Sequence, residues 1–360
     1  MAFYLWFCFF YNKDNIFSNE TKRNAKTFEK KIKFVSKRQI RNIMKKYDIA
    51  AIGELNVDII LNRIESEPEI GKEKFAREMT VTLGSSTAIF AANAASLGSR
   101  VCFVGMIGRD SFGSLVRTSL EARGVDTRYL VEGDIPTGAS ICMSYGEDRA
   151  VLTYQGAMDV MGIGDINPEV FEETKHIHLS SIFMQSGVLR DLERILDLAA
   201  AKGITVSLDT QWDPVEKWSF DYKRLLPKIT VFMPNEKELR CLTGKDDLES
   251  AIAEVQPYLG FAMMLKCGSK GSILIMKDGS RTSLPAFLNK DVVDAIGAGD
   301  SCNAGFVSAF VKGLPLEECQ RTGNLTGAVN TTAAGGTGAF ASLEAVRQVC
   351  LSRFGQELNL

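Results

Sequence analysis

The chain has 360 residues, 45% hydrophobic and 24% charged, enough for one large α/β domain or two small ones around a substantial core. Its formal net charge of −2 is uneven. Residues 1–43 hold ten basic residues (Lys13, Lys22, Arg23, Lys26, Lys30, Lys31, Lys33, Lys37, Arg38, Arg41) against Asp14, Glu20 and Glu29, so the 32 basic and 41 acidic residues from Met44 onward leave −9. An acidic body repels phosphate backbones and anionic headgroups, which argues against nucleic acid or a membrane surface as partner of the main domain.

The run Ala2–Phe10 is strongly apolar but about half the roughly 20 residues of a membrane-spanning helix, and it lacks the preceding charge and following cleavage site of a signal peptide. Residues 1–43 read as a disordered or non-native extension, with a short membrane-surface anchor as the alternative. From Tyr47, short β-branched apolar runs alternate with helix-period segments, the pattern of a parallel sheet covered on both faces. Strands are expected at Asp48–Gly53, Arg100–Val104, His176–Leu179, Thr205–Asp209, Ile229–Pro234, Ala262–Lys266 and Ser272–Met276. Helices are expected at Ser86–Leu97, Phe112–Arg123 and Gly187–Lys202. Ile59–Leu83 and Thr137–Gln155 break this rhythm with polar and apolar residues in alternation, which predicts a small side sheet, suited to act as a lid, from about 59–83 and 136–156.

Eight scattered cysteines without a C-x-x-C spacing fit reduced thiols in a cytoplasmic protein, not a disulfide framework or zinc site. His176 and His178, the only histidines, lack a third ligand and read as a packed strand pair. Trp212 and Trp218, near Asp209 and Asp213, either line a pocket or cap the sheet.

The most informative segment runs from Val293 to Phe306. Gly297, Ala298 and Gly299 leave backbone N–H groups unobstructed at the start of a helix, whose partial positive charge favours an anion. Asp300 then falls in the first helical turn, beside the place where a phosphoryl group would lie, and a carboxylate there can orient an attacking hydroxyl. The dinucleotide fingerprint fails at Cys302, where its third glycine should stand, and there is no Gly-x-x-x-x-Gly-Lys-Ser/Thr loop.

Six segments in order resemble the ribokinase-like (PfkB) carbohydrate kinases from about Tyr47 to Ser342. They are Gly53–Asp58, Gly84-Ser85 running on to Leu97-Gly98, Val104–Gly113, Pro234–Glu238, Lys266–Gly271 and Asp294–Asp300. The resemblance implies a three-layer α/β/α sandwich with a mostly parallel central sheet and a β lid, built from residues 44–360. It implies ATP and Mg²⁺ as cofactors and K⁺ as a further ion. Asp300 would be the catalytic base, and the amides of Gly297, Ala298 and Gly299 the anion hole.

Asn235 and Glu238 resemble the family's Asn-x-x-Glu motif, with Glu238 holding magnesium through water, although the same spacing makes a helix-capping pair. Lys266, Gly268 and Gly271 look like the strand end and turn that pass the nucleotide phosphates, and Asn324 like the polar residue near adenine. Asp294, the Ile296 carbonyl, Gly338 and Ser342 resemble the monovalent-cation loop. At the sugar end, Asn56 and Asp58 lie two apart on an extended segment and point the same way. Gly84, Ser85 and Arg149 complete the expected substrate contacts.

Two departures argue against simple ribose as substrate. Many sugar kinases of this family carry Gly-Gly at the first signature and an asparagine a few residues on, where this chain has Gly84-Ser85 and Ile89. Ser180-Ser181 stands where an acidic residue is expected, and lost polar contacts to hydroxyls discriminate strongly. A sugar or sugar acid is the favoured substrate. A nucleoside kinase, for which Ile89 and Phe90 would furnish an apolar pocket, and a non-catalytic sugar sensor are the alternatives. An exposed lid sheet also offers a surface for a homodimer.

Overall fold

The computed structural model describes residues 45–145 and 148–360, with the side chains of Asp148 and Arg149 left out; the expected N-terminal extension lies outside the described residues. Among the described residues there are thirteen strands: β1 Tyr47–Ile52, β2 Asn56–Ile64, β3 Ala76–Leu83, β4 Val101–Gly108, β5 Asp126–Gly133, β6 Gly138–Tyr145, β7 Asp148–Tyr154, β8 Thr174–Ser180, β9 Thr205–Asp209, β10 Val231–Phe232, β11 Ala262–Lys266, β12 Ser272–Met276 and β13 Arg281–Leu284. The helices of eight or more residues are α1 Ser86–Ser96, α2 Ser111–Ala122, α3 Ser186–Ala201, α4 Glu236–Thr243, α5 Leu248–Val255, α6 Ala298–Val311, α7 Leu316–Asn330 and α8 Leu343–Phe354.

Nine strands form the main sheet in the order β13-β12-β11-β10-β9-β8-β1-β4-β5. All neighbours are parallel except β11/β12 and β12/β13. Alternate side chains of a strand serve opposite layers. Ala50 and Ile52 join the core beneath α3, α4 and α5, whereas Ile49 and Ala51 pack under α1, α2, α6, α7 and α8. In α3 the spacing of Leu192, Ile195, Leu196 and Ala199 keeps all four against the first core. Each fully buried Leu or Ile contributes roughly 1.5–3 kcal/mol.

Strand β10 is shorter than its apolar run predicts, because Pro234 cannot donate to a ladder and Asn235 turns the chain into α4. Strands β5 and β13 escape the sequence reading because their residues are half polar and lie on the two sheet edges.

The second sheet has the order β3-β2-β6-β7. Asp110 ties it to the body beside α2: it caps that helix by accepting from Gly113 N (2.8 Å) and also accepts from Thr137 N and Oγ1 (both 2.8 Å) just before β6. His176 and His178 are buried in β8, hydrogen-bonded to Thr205 and Ser207, and burial holds both neutral. They form a packed pair, with His178 stacked on Phe90 at 3.7 Å. Among the described residues no helix is long and apolar enough to cross a membrane.

Candidate active site

The polar residues gather where the strands of the main sheet end, the place where α/β sheets hold ligands. Helix α6 opens there. Gly297 takes φ +76°, a left-handed conformation that suits glycine, and a Cβ on it would come within 2.6 Å of Gly336. The Ala298 amide donates to Ala295 O (3.2 Å), so it is turned inward, unlike the expected open cradle. Among the described residues the amides of Gly297, Gly299 and Asp300 find no acceptor. These are the donors left to a ligand at the helix start.

Asp300 is 6% exposed. Burial and the negative charge of Asp209 push its carboxyl up to about 8, against the pull of Lys266. Gln211 Nε2 donates to Asp300 Oδ1 at 2.8 Å. Behind it, Asp209 ends β9 wholly buried and is ion-paired with Lys266 at the end of β11. Asn303 Nδ2 also donates to Asp209, at 2.6 Å. Burial opposes the Lys266 charge, but Asp209 and Glu238 outweigh it and hold the ammonium above its ordinary range.

Asn235 and Glu238 form the capping box of α4: Asn235 Oδ1 accepts from Glu238 N, and Glu238 Oε2 from Asn235 N, both at 2.9 Å. Glu238 is 3% exposed, and burial together with Asp209 pushes its carboxyl up to about 7. The capping reading is therefore realised, and Glu238 still keeps a second oxygen. Among the described residues no group of three or more His, Cys, Asp or Glu is placed to hold a metal ion.

Next to Gly299 lies a cavity of about 440 Å³, walled by Lys266, Gly268, Gly271, Cys302, Phe287 and Asn324 among others. It brings together four of the residues expected at a nucleotide. Gly271 takes φ +100°, and a Cβ there would overlap Leu284 O. Asn324 Nδ2 donates to Pro285 O (3.1 Å) and so fixes the chain leaving β13 along the cavity wall.

Asn56, Asp58 and Gly84 converge, and Gly84 lies two residues before Ser86, which faces Asp300. Gly84 N donates to Asn56 O (3.1 Å), and a Cβ on Gly84 would overlap the Asp58 carboxylate and lie 2.7 Å from Asn56 Oδ1. Asn56 Nδ2 donates to Ser140 Oγ of the second sheet (2.7 Å), while its Oδ1 is buried without a partner. The Ser85 hydroxyl is engaged internally, donating to Glu54 O (2.6 Å) and accepting from Ala88 N (3.1 Å) as the cap of α1. Arg149 stands on β7 opposite Ser144, in the same sheet as Asp58. Ile89 and Phe90 do not line an open pocket: Ile89 packs on Gly297 and Gly336, and Phe90 is wholly buried.

The loop before α6 is braced. Asp294 Oδ1 accepts from Ile296 N and Oδ2 from Gly335 N, both at 2.9 Å, and Ile296 O accepts from Asn330 Nδ2 (2.6 Å). The Ser342 hydroxyl caps α8 by accepting from Ala345 N, and Gly338 lies tight against Ala334 O.

Asp209, Gln211, Asn303 and Glu54 are residues that motif reading did not single out. Glu54 is 4% exposed, accepts from the Thr87 hydroxyl and amide, and has its carboxyl raised by burial. For Glu54, Asp209 and Gln211 the available signal was a charged or amide side chain at or just after the carboxyl end of a buried strand, whereas Asn303 sits within α6 and carried none.

The pfkB family carbohydrate kinase model matches residues 46–342. An uncharacterized sugar kinase of Archaeoglobus fulgidus is 29% identical over 236 residues, 64% of this chain and 91% of that protein. A 5-dehydro-2-deoxygluconokinase of Lacticaseibacillus casei is 28% identical over 301 residues, 79% and 89% of the two chains. The structure of Arabidopsis thaliana ribokinase complexed with ribose and ATP superimposes with a TM-score of 0.72 at 25% identity, covering 84% of this chain and 98% of that one. With motifs, sheet order and cleft in agreement, the chain belongs to the pfkB family of carbohydrate kinases, as a sugar or nucleoside kinase that transfers a phosphoryl group to a hydroxyl acceptor.

Proposed function

We propose that this chain phosphorylates a hydroxyl of a sugar or sugar acid from ATP, with Asp300 as the base. The observation that carries the reading is the placement of one buried carboxylate at the opening of α6, next to the unpartnered amides of Gly297, Gly299 and Asp300 and a cavity that already collects Lys266, Gly268, Gly271 and Asn324. ATP with magnesium would supply the phosphoryl group and neutralise its charge. Asp300 receives the proton as the acceptor oxygen bonds to phosphorus and the bond to the bridging oxygen of ADP breaks. The Gly299 and Asp300 amides donate to the charge on the migrating group.

Glu238 fits a magnesium site reached through water: its second oxygen is available, and a nearby cation would relieve its crowding with Asp209. For potassium, the Asp294 and Ile296 oxygens are oriented by backbone or amide donors and each retains a lone pair. A bound ion would tie this loop to Gly338 and Ser342. Asn56 and Asp58 bind the sugar hydroxyls, and the orphaned Asn56 Oδ1 is an acceptor waiting for one. The nucleoside alternative loses the pocket that Ile89 and Phe90 would have furnished.

The test is ADP release across ketoses, aldoses, sugar acids and nucleosides. Turnover confined to nucleosides, or tight sugar binding without turnover, would reject the sugar-kinase reading. Gly84→Ala should raise KM for the sugar at least about tenfold, since its methyl group overlaps the Asp58 carboxylate, with little change in KM for ATP. Steady-state kinetics in both substrates checks this.

One face of the lid sheet sets Val81, Ile59, Ile141 and Leu152 in a single row across its four strands, with Met79 and Tyr154 flanking it. Val81, Ile141, Leu152, Met79 and Tyr154 are exposed. A second copy of this chain covers that face in our reading, since an apolar row on an unpaired sheet face is unusual for a monomer. Leu152→Lys is expected to convert a dimer to a monomer in analytical ultracentrifugation; a wild-type monomer at micromolar concentration would reject the dimer.

We read the protein as cytoplasmic because, among the described residues, Cys102, Cys267, Cys302, Cys319 and Cys350 are buried thiols outside any disulfide.

A further inference from the structure

Gln211 follows β9 with φ +58°, a left-handed conformation that for a residue with a side chain costs on the order of 1–3 kcal/mol. The turn it makes has a visible use. Its own amide donates to Asp209 Oδ1 (3.2 Å), and its carboxamide is directed into the cleft, where Nε2 donates to Asp209 Oδ2 (3.2 Å) and Asp300 Oδ1 (2.8 Å). One NH₂ group therefore uses both hydrogens to bridge two carboxylates. Asp209 cannot move in response, because Lys266 and Asn303 hold its Oδ2 from the other side and it is wholly buried. Asp300 is thus tied, through Gln211, to a fixed point of the sheet.

We propose that Gln211 is a positioning residue for phosphoryl transfer, clamping Asp300 at Oδ1 so that its carboxylate keeps one orientation toward the acceptor hydroxyl. This rests on the reading of Asp300 as base. The groups that face Asp300 are Asp209 from β9, Lys266 from β11, Glu54 after β1 and Ser86 at the start of α1. Two of the three charges are negative, so an uncharged donor placed between Asp300 and Asp209 favours the ionised base without adding charge. It also spends the strained backbone at the site where orientation matters.

The experiment compares wild type with Gln211→Met, which keeps length without a donor, and Gln211→Gly, which relaxes the backbone and removes the side chain. Both should lose about tenfold in kcat, with KM for ATP and sugar within about twofold, as expected when a reacting group is misaligned but binding is intact. The acidic limb of the kcat/KM profile should move upward by about half a unit or more, since the ionised base loses a donor. A purely structural role would lower thermal stability and leave that limb in place. Asp300→Asn is measured in parallel. If it turns over normally, the base reading fails; if it is inactive while both Gln211 variants keep wild-type kcat and pH profile, the positioning proposal fails alone. A rise in sugar KM with kcat unchanged would make Gln211 a substrate ligand and also overturn it. Should Gln211→Met not fold, Gln211→Gly, which suits the left-handed turn, decides the matter.

Discussion

Asp300→Asn is expected to lower kcat by about 10²–10⁴-fold, the usual worth of a positioned base, and at the same time to stabilise the protein at pH 8. The two effects share one cause. Asp300 is buried beside Asp209, and this raises its carboxyl to about 8 in the folded chain from an ordinary value of 3.8. The folded state therefore holds the proton more tightly than the unfolded state, and stability falls as pH rises from about 4 through about 8. Above that range the ionised carboxylate persists at a cost which asparagine does not incur. Thermal melts of both proteins should differ most at and above about pH 8, with Asp300→Asn the more stable, and converge near pH 4. The same carboxylate must be ionised to act as base, so kcat/KM of the wild type should rise with pH toward a plateau above about 8.

Breaking the ion pair behind Asp300 should have the largest effect on folding. Asp209 is 0% exposed, and the Lys266 side chain is 11% exposed. Removing one partner leaves an uncompensated charge in a buried site, which costs about 3–5 kcal/mol. Asp209→Asn and Lys266→Met should each lower the urea midpoint accordingly. The double variant should recover most of the loss, because a buried pair replaced as a whole is close to neutral. Its activity should not recover, since Lys266 lies at the cavity wall beside Gly299 and Asp209 anchors Gln211. If the single variants unfold at the wild-type midpoint, the pair is not the anchor of the cleft.

Much of this architecture is written in local pattern. Ala262–Lys266 and Ser272–Met276 read as strands with their observed bounds, because a continuous apolar run between turn residues has few other solutions. The second sheet was legible from the same logic in reverse, as alternation where the βα rhythm stopped, although its first strand begins at Asn56, which puts Asn56 and Asp58 on that sheet itself. The Gly297–Asp300 turn was legible because small residues and a carboxylate at a helix start have a direct chemical meaning. What local pattern does not encode is the relation between distant strand ends. Asp209, Gln211, Lys266 and Asn303 are separated by up to 94 positions in pairs that touch, and only the sheet order brings them together. Likewise, nothing local distinguishes the Ala298 amide, turned toward Ala295, from those of Gly299 and Asp300.

The most direct measurement is a single-turnover incubation of ATP, magnesium and the preferred sugar followed by phosphorus NMR, with wild type and Asp300→Asn side by side. Wild type should yield one new phosphomonoester resonance that grows as the γ-phosphate signal falls, and Asp300→Asn should yield none while still binding both substrates by calorimetry. Phosphomonoester formed at comparable rates by both proteins, or inorganic phosphate as the sole product of the wild type, would contradict Asp300 as the base of a sugar kinase.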